Sequence, residues 1–190
     1  MNNYTPHLYI SAARWFRLVF IVPLLVANPG ARAQDLNCAD AEYYENGNIE
    51  FCRLSAAETI SGQNFPRGTG VHFNTNGDMD WVFLPEDMVI QGYLCRGGGH
   101  AFQTSFHPNG QLKTAWLAAD EIIQGIPCAK FRFLTAVFAG LHGKNGGTTF
   151  HDNGQLSYCE LSQQYVIEGK KFKKGAVVKF AADGKLRQGH

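Results

Sequence analysis

Five cysteines, Cys38, Cys52, Cys95, Cys128 and Cys159, are the first residues to weigh for chemistry. None belongs to a Cys-x-x-Cys pair, which removes the usual redox, zinc-ribbon and haem-attachment signatures. A thiol nucleophile needs a base, and Cys159 with His151 or His142 is the combination that would make a small thiol-dependent hydrolase. His72, His100 and His107 complete the histidines that could in principle ligate a metal. No pair has His-x-x-x-His or hairpin ligand spacing, so neither a metal nor a cofactor is expected. The acid pairs Glu86/Asp87 and Asp120/Glu121 would suit a glycosidase or calcium, but both fall at one recurring turn where acids are ordinary. Gly97-Gly98-Gly99 has no strand–helix context for a phosphate loop. The expectation is a chain with no catalytic set.

The elements that carry these residues are set by glycines at 47, 77, 110, 154 and 184. An aromatic residue stands four places before each one: Tyr43, Phe73, Phe106, Phe150 and Phe180. An aliphatic residue or Met stands two places after: Ile49, Met79, Leu112, Leu156 and Leu186. Counting each glycine as zero, position +7 is Leu54, Leu84, Leu117 and Leu161, and +13 is Ile60, Ile90, Ile123 and Ile167. Position +15 is Gly62, Gly92, Gly125 and Gly169. Identity at three positions across four copies is an internal repeat. Its spacings are 30, 33, 44 and 30 residues, the long one reflecting an apolar, glycine-ended insertion at 131–147.

Phe106-His107-Pro108-Asn109-Gly110-Gln111-Leu112 reads as a hairpin tip. A type I turn followed by a left-handed glycine places Pro108 and Asn109 where each is favoured. That register pairs −4 with +2, so Phe106 meets Leu112, and continues with −6 opposite +4, so Val71 meets Trp81 and Thr148 meets Tyr158. One face of each hairpin becomes aromatic and aliphatic and the other largely polar. The +15 glycine calls for a positive-φ turn or a bulge. The fold class expected is all-β: stacked antiparallel hairpin repeats, two or three short strands per unit, forming an open meandering sheet. Phe131–Leu141 alone has an ambiguous, helix-like character.

The motif aromatic-x-x-Asn-Gly-x-aliphatic with a downstream Ile-x-Gly resembles MORN-type hairpin repeats, in their degenerate bacterial form. The resemblance spans most of Ala41–His190, although these repeats are longer than the usual MORN unit and carry cysteines. It implies a β-repeat scaffold for binding or assembly, with no catalytic motif to carry over.

Residues 1–33 read as a secretory signal peptide. Arg14 and Arg17 precede the apolar run Leu18–Ala27, and a small-x-small site follows at Ala31-Arg32-Ala33. Ten apolar residues broken by Pro23 fall short of the ~20 that a membrane span needs, and no later stretch is longer. One exported domain, 34–190, is expected in the periplasm or outside the cell, with no transmembrane segment after cleavage. It holds 14 basic and 16 acidic residues, which gives no global case for nucleic acid.

An oxidising compartment favours disulfides, and five cysteines leave at least one unpaired within the chain. Cys38–Cys52 would pin the N-terminus and contribute roughly 3 kcal/mol. Cys95–Cys128 would join adjacent repeats, provided the sheet bends across intervening strands ~4.8 Å apart. Cys159 is then left over, and a Cys52–Cys159 bridge would require a closed barrel.

Two places depart from the repeat and are candidates for binding a protein or a cell-envelope polymer. One is the insertion, through Phe131, Phe133 and Phe138, which could equally cover a sheet edge. The other is the basic C-terminal region, through Lys170, Lys171, Lys173 and Lys174, where a solvated strand face is the plainer account.

Overall fold

The structure is a computed structural model that describes residues 36–132 and 147–187. The proposed signal peptide, Phe133, Phe138 and His142 lie outside the described residues.

Each tip glycine forms the turn that the sequence predicts. Gly77 N–H donates to the Asn74 carbonyl at 2.8 Å and Asn74 N–H to the Asp78 carbonyl at 2.9 Å, with Gly77 at φ 86°. The same two bonds recur at the tips of Gly47, Gly110, Gly154 and Gly184. These tips join β1 (Cys38–Tyr43) to β2 (Ile49–Leu54), β5 (Gly70–Phe73) to β6 (Met79–Phe83), β9 (Gln103–Phe106) to β10 (Leu112–Ala115), and β13 (Thr148–Phe150) to β14 (Leu156–Glu160). The fifth follows β17 (Val177–Lys179), along which Leu186 and Arg187 return. The nine strands form one open antiparallel sheet in the order β1-β2-β5-β6-β9-β10-β13-β14-β17.

Between successive large hairpins the chain makes a small one. These are β3 (Glu58–Ile60) with β4 (Gln63–Phe65), β7 (Met88–Ile90) with β8 (Tyr93–Cys95), β11 (Glu121–Ile123) with β12 (Ile126–Cys128), and β15 (Tyr165–Ile167) with β16 (Lys170–Phe172). Four strands per unit therefore replace the two or three expected. The connecting pairs Ser61-Gly62, Gln91-Gly92, Gln124-Gly125 and Glu168-Gly169 all have positive φ at both residues, the geometry of a two-residue type I′ loop.

The register departs from expectation in one respect. Phe73 pairs with Met79 as predicted, but the next rungs are His72↔Trp81 and Val71↔Val82. Thr149, in place of Thr148, faces Tyr158. An extra residue at +3 (Glu50, Asp80, Lys113 or Ser157) bulges out and shifts the pairing by one. The core face thus collects −4, −6, +2, +5 and +7, among them the fully buried Val71, Val82 and Leu84. The row of small hairpins covers this face through Ile60, Ile90, Ile123 and Ile167, all buried.

Side chains bind one unit to the next. Gln91 donates to the Gly110 carbonyl at 2.7 Å and accepts from Leu112 N–H at 2.9 Å. Gln124 does the same to Gly154 and Leu156, at 2.9 Å for both. Along the tips, the Tyr44 hydroxyl donates to the Phe73 carbonyl at 2.8 Å, and His107 and His151 donate through Nε2 to the carbonyls of Phe150 and Phe180.

Cys38 is bonded to Cys52 as expected, with Cα atoms 5.5 Å apart. The second bridge is corrected: Cys128 is bonded to Cys159, Cα 5.7 Å apart, and Cys95 is a buried free thiol. Cys95 and Cys128 both occupy +18, so two strand spacings of ~4.8 Å separate them along the stack, outside disulfide reach. Position +18 instead lies beside +5 of the next unit. Cys95 and Cys128 pair in register with the +7 leucines Leu117 and Leu161, as Cys38 does with Leu54. The +5 neighbour of Cys95 is Ala115, fully buried.

Two predictions follow from this packing. Ala115→Cys should close a third bridge with Cys95, removing the thiol that titrates in denaturant and raising stability by about 3 kcal/mol. Thr104 is buried at the −6 position that Val71 fills one unit earlier, and its hydroxyl has no partner. Thr104→Val should therefore stabilise the fold by about 1 kcal/mol in urea unfolding.

Candidate binding face

With the core on one side of the sheet, the bulge turns positions +4 and +6 to the other. One rung crosses all nine strands through Glu42, Phe51, His72, Trp81, Ser105, Thr114, Thr149, Tyr158 and Lys179. A neighbouring rung holds Asp40, Arg53, Gly70, Phe83 and Gln103. This face was expected to be largely polar, yet Phe51, Trp81, Phe83, Trp116 and Tyr158 lie half-buried on it.

The rings form two clusters. In the first, Trp81 stacks on His72 with centroids 4.5 Å apart and packs against Phe51 and Phe83 at 5.9 and 5.0 Å. His72 Nδ1 donates to Asp80, the bulged residue, at 2.6 Å, which fixes the imidazole under the indole. Phe83 packs edge-on against His100, whose Nε2 accepts from the Arg53 guanidinium at 3.0 Å. Gly70 makes room for this cluster: a Cβ there would come 2.8 Å from the Phe51 ring. In the second cluster Trp116 meets Phe131 at 4.9 Å and Phe102 at 6.0 Å, and Arg96 lies over the Phe102 ring at 5.3 Å. Trp116 Nε1 donates to the Gln103 carbonyl at 2.9 Å.

The residues that sequence reasoning singled out are dispersed. Phe131 is buried against Trp116 at the start of the insertion. Lys170 and Lys171 are exposed on β16 in the other layer, with Lys173 and Lys174 exposed just beyond it. Cys159 is fully buried in its bridge to Cys128, so it offers no thiolate to His151. Asp87 and Asp120 accept the backbone N–H groups of Gly97 and Lys130, each at 2.8 Å, and Glu121 accepts that of Leu94 at 2.7 Å. These acids hold turns in place. No metal-ligating group of His, Cys, Asp and Glu assembles among the described residues. The aromatic face was missed because +4 and +6 look like ordinary strand residues until the bulge is known; Phe51 and Trp81 at one phase, and Phe83 and Trp116 at another, were the available signal.

Cys95 is the remaining titratable curiosity. Burial, and secondly the Glu121 carboxylate, push its thiol up to about 12. The folded state thus keeps a proton that the unfolded thiol releases near pH 8.5. The resulting stability is complete below that pH and falls as pH rises towards 12, by up to about 1.4 kcal/mol per unit. Stability against pH between 9 and 11 should accordingly fall less steeply for Cys95→Ala than for the parent chain.

Compared with protein-family models, curated proteins and solved structures, the chain matches none.

Proposed function

We propose that this chain is a non-catalytic, exported binding module whose outer sheet face takes an extended cell-envelope polymer of saccharide type. The observation that carries this reading is the line of aromatic rings on the side of the sheet that does not hold the core. Phe51 stands on β2, Trp81 and Phe83 on β6, Trp116 just past the end of β10 and Tyr158 on β14, which is every second strand. The strands that carry them recur at roughly 10 Å across the sheet, and the Phe51 and Trp81 rings lean together to 5.9 Å, so neighbouring rings form a near-continuous apolar platform. Rings of this kind offer apolar faces to sugar C–H groups, while Ser105, Thr114 and Thr149 between them offer hydroxyls. Such a ladder suits a long chain better than a compact ligand.

Export is supported by the two disulfides, which suit an oxidising compartment, and by the basic–apolar–small order of residues 1–33. Periplasmic or extracellular placement follows from it. A scaffold role also agrees with the resemblance to MORN-type repeats.

Trp81 and Trp116 are the only tryptophans after residue 33, so indole emission reports on this face. Titration with soluble β-linked glucose and N-acetylglucosamine oligomers, and with an envelope polysaccharide fraction, should shift that emission. Trp81→Ala or Phe83→Ala should weaken binding about tenfold, roughly 1.4 kcal/mol. Val89→Ser, at an exposed site in the other layer, should leave it unchanged. An emission spectrum that does not respond to any of these polymers would remove the proposal.

A further inference from the structure

The two ends of the sheet are unlike, and in complementary ways. At one end lies β1, an edge strand. From Leu36 to Cys52 the chain carries Asp40, Glu42, Glu45 and Glu50 and no Lys or Arg. At the other end, from Glu168 to Arg187, there are seven basic residues against two acids. Lys185 is held by Asp183 at 3.3 Å, but Lys170, Lys171, Lys173 and Lys174 are exposed and form no ion pair among the described residues. Basic charge alone would be ordinary edge protection. Opposite signs at opposite edges of one sheet attract.

The packing series points the same way. The −4 aromatics Phe73, Phe106, Phe150 and Phe180 are 1–4% exposed, whereas Tyr43 at the same position is 59% exposed. The later ones gain their cover from a small hairpin two units earlier. Phe65 packs edge-on against Phe106, Tyr93 stacks on Phe150 at 5.0 Å, and Ile126 lines one cavity with Phe180. No such hairpin precedes Tyr43 or Phe73 among the described residues, and of the two only Tyr43, on the edge strand, is left exposed. Conversely, Lys170 and Phe172 sit where Tyr93 and Cys95 sit two units before, and no later −4 aromatic lies under them among the described residues. Phe172 is left half-buried.

We infer that the acidic β1 end of one copy docks on the basic β15–β16 end of a second copy, head to tail. The second copy's first unit continues the series: its Tyr43 goes under the last small hairpin, and its acidic edge meets the basic end of the first copy. The contact joins unlike surfaces, so it does not close on itself and propagates into an open chain of copies. Repeated units would extend the aromatic face, although the assembly does not depend on what that face binds.

Sedimentation velocity tests this. The protein should associate with rising concentration at about 0.01 M salt and become monomeric at about 1 M, where the Debye length falls from roughly 30 Å to 3 Å. Two charge-reversed proteins sharpen the test: Asp40→Lys/Glu42→Lys/Glu45→Lys, and Lys170→Glu/Lys171→Glu/Lys173→Glu. Each should be monomeric alone, and a 1:1 mixture should regain association. Tyr43→Ser, at an exposed site, should weaken assembly of the otherwise unaltered chain. A parent protein that stays monomeric at low salt overturns the inference. So does a mixture that stays monomeric when both reversed proteins keep the parent's far-ultraviolet circular dichroism. If either fails to fold, the salt series and Tyr43→Ser decide alone.

Discussion

The bulged residue at +3 is the constraint on which both layers depend. Without it, a strand of strict period two would send +2, +4 and +6 to one side. The shift after Met79 instead places Val82 and Leu84 on the same face as Met79, and Trp81 and Phe83 on the opposite one. One short hairpin thereby meets two demands. It closes a core against the small hairpins, and it presents a second set of large side chains to the outside.

Stacking the units calls for more than apolar burial, because each small hairpin must find one tip and no other. Gln91 and Gln124 supply that address by reading both a carbonyl and an N–H of the next tip. They do so from positive φ, at 48° and 51°, a conformation that non-glycine residues adopt at some cost. Glu168 keeps only half of the device: its carboxylate accepts from Leu186 N–H at 3.0 Å but has no donor for the Gly184 carbonyl. The last contact of the stack is correspondingly weaker in kind. His151, weighed as a base for Cys159, and His107, weighed as a metal ligand, belong to the same scheme through their bonds to the neighbouring tip.

Much of this was legible in the sequence, and what was not has a physical reason. The glycines at −4/+2-paired tips announced themselves because a left-handed residue tolerates few substitutes. The bulge was also written there, as apolar positions +2, +5 and +7, whose spacing of three and then two breaks the strand period, and as polar residues at +3. It went unread because the −6/+4 pairing gave a plausible alternation of its own. The disulfide error came from treating equivalent cysteines as neighbours. In a stack, equivalence guarantees separation by a whole unit, and contact belongs to complementary phases: +18 with +5, as Cys128 has with Cys159. Phe133 and Phe138 lie outside the described residues, so the insertion stays an expectation of the sequence alone.

A repeat also changes where individuality should be sought. Positions that build the stack must be alike in every unit, and they are: leucine at +7, isoleucine at +13, glycine at +15. The outer positions are under no such demand. Position +4 runs Phe51, Trp81, Thr114, Tyr158, and +6 runs Arg53, Phe83, Trp116, Glu160. Apolar side chains scattered singly over a surface would be ordinary, but rings gathered on one face of a sheet are what marks an interaction site. Five of these eight are aromatic. Arg53 and Trp116 are further tied down by bonds to His100 and the Gln103 carbonyl, and Phe51 occupies the space that Gly70 leaves open. Side chains held in fixed places, differing from unit to unit and displayed away from the core, are what the proposed recognition surface requires, and the uniform scaffold behind them is what holds their spacing.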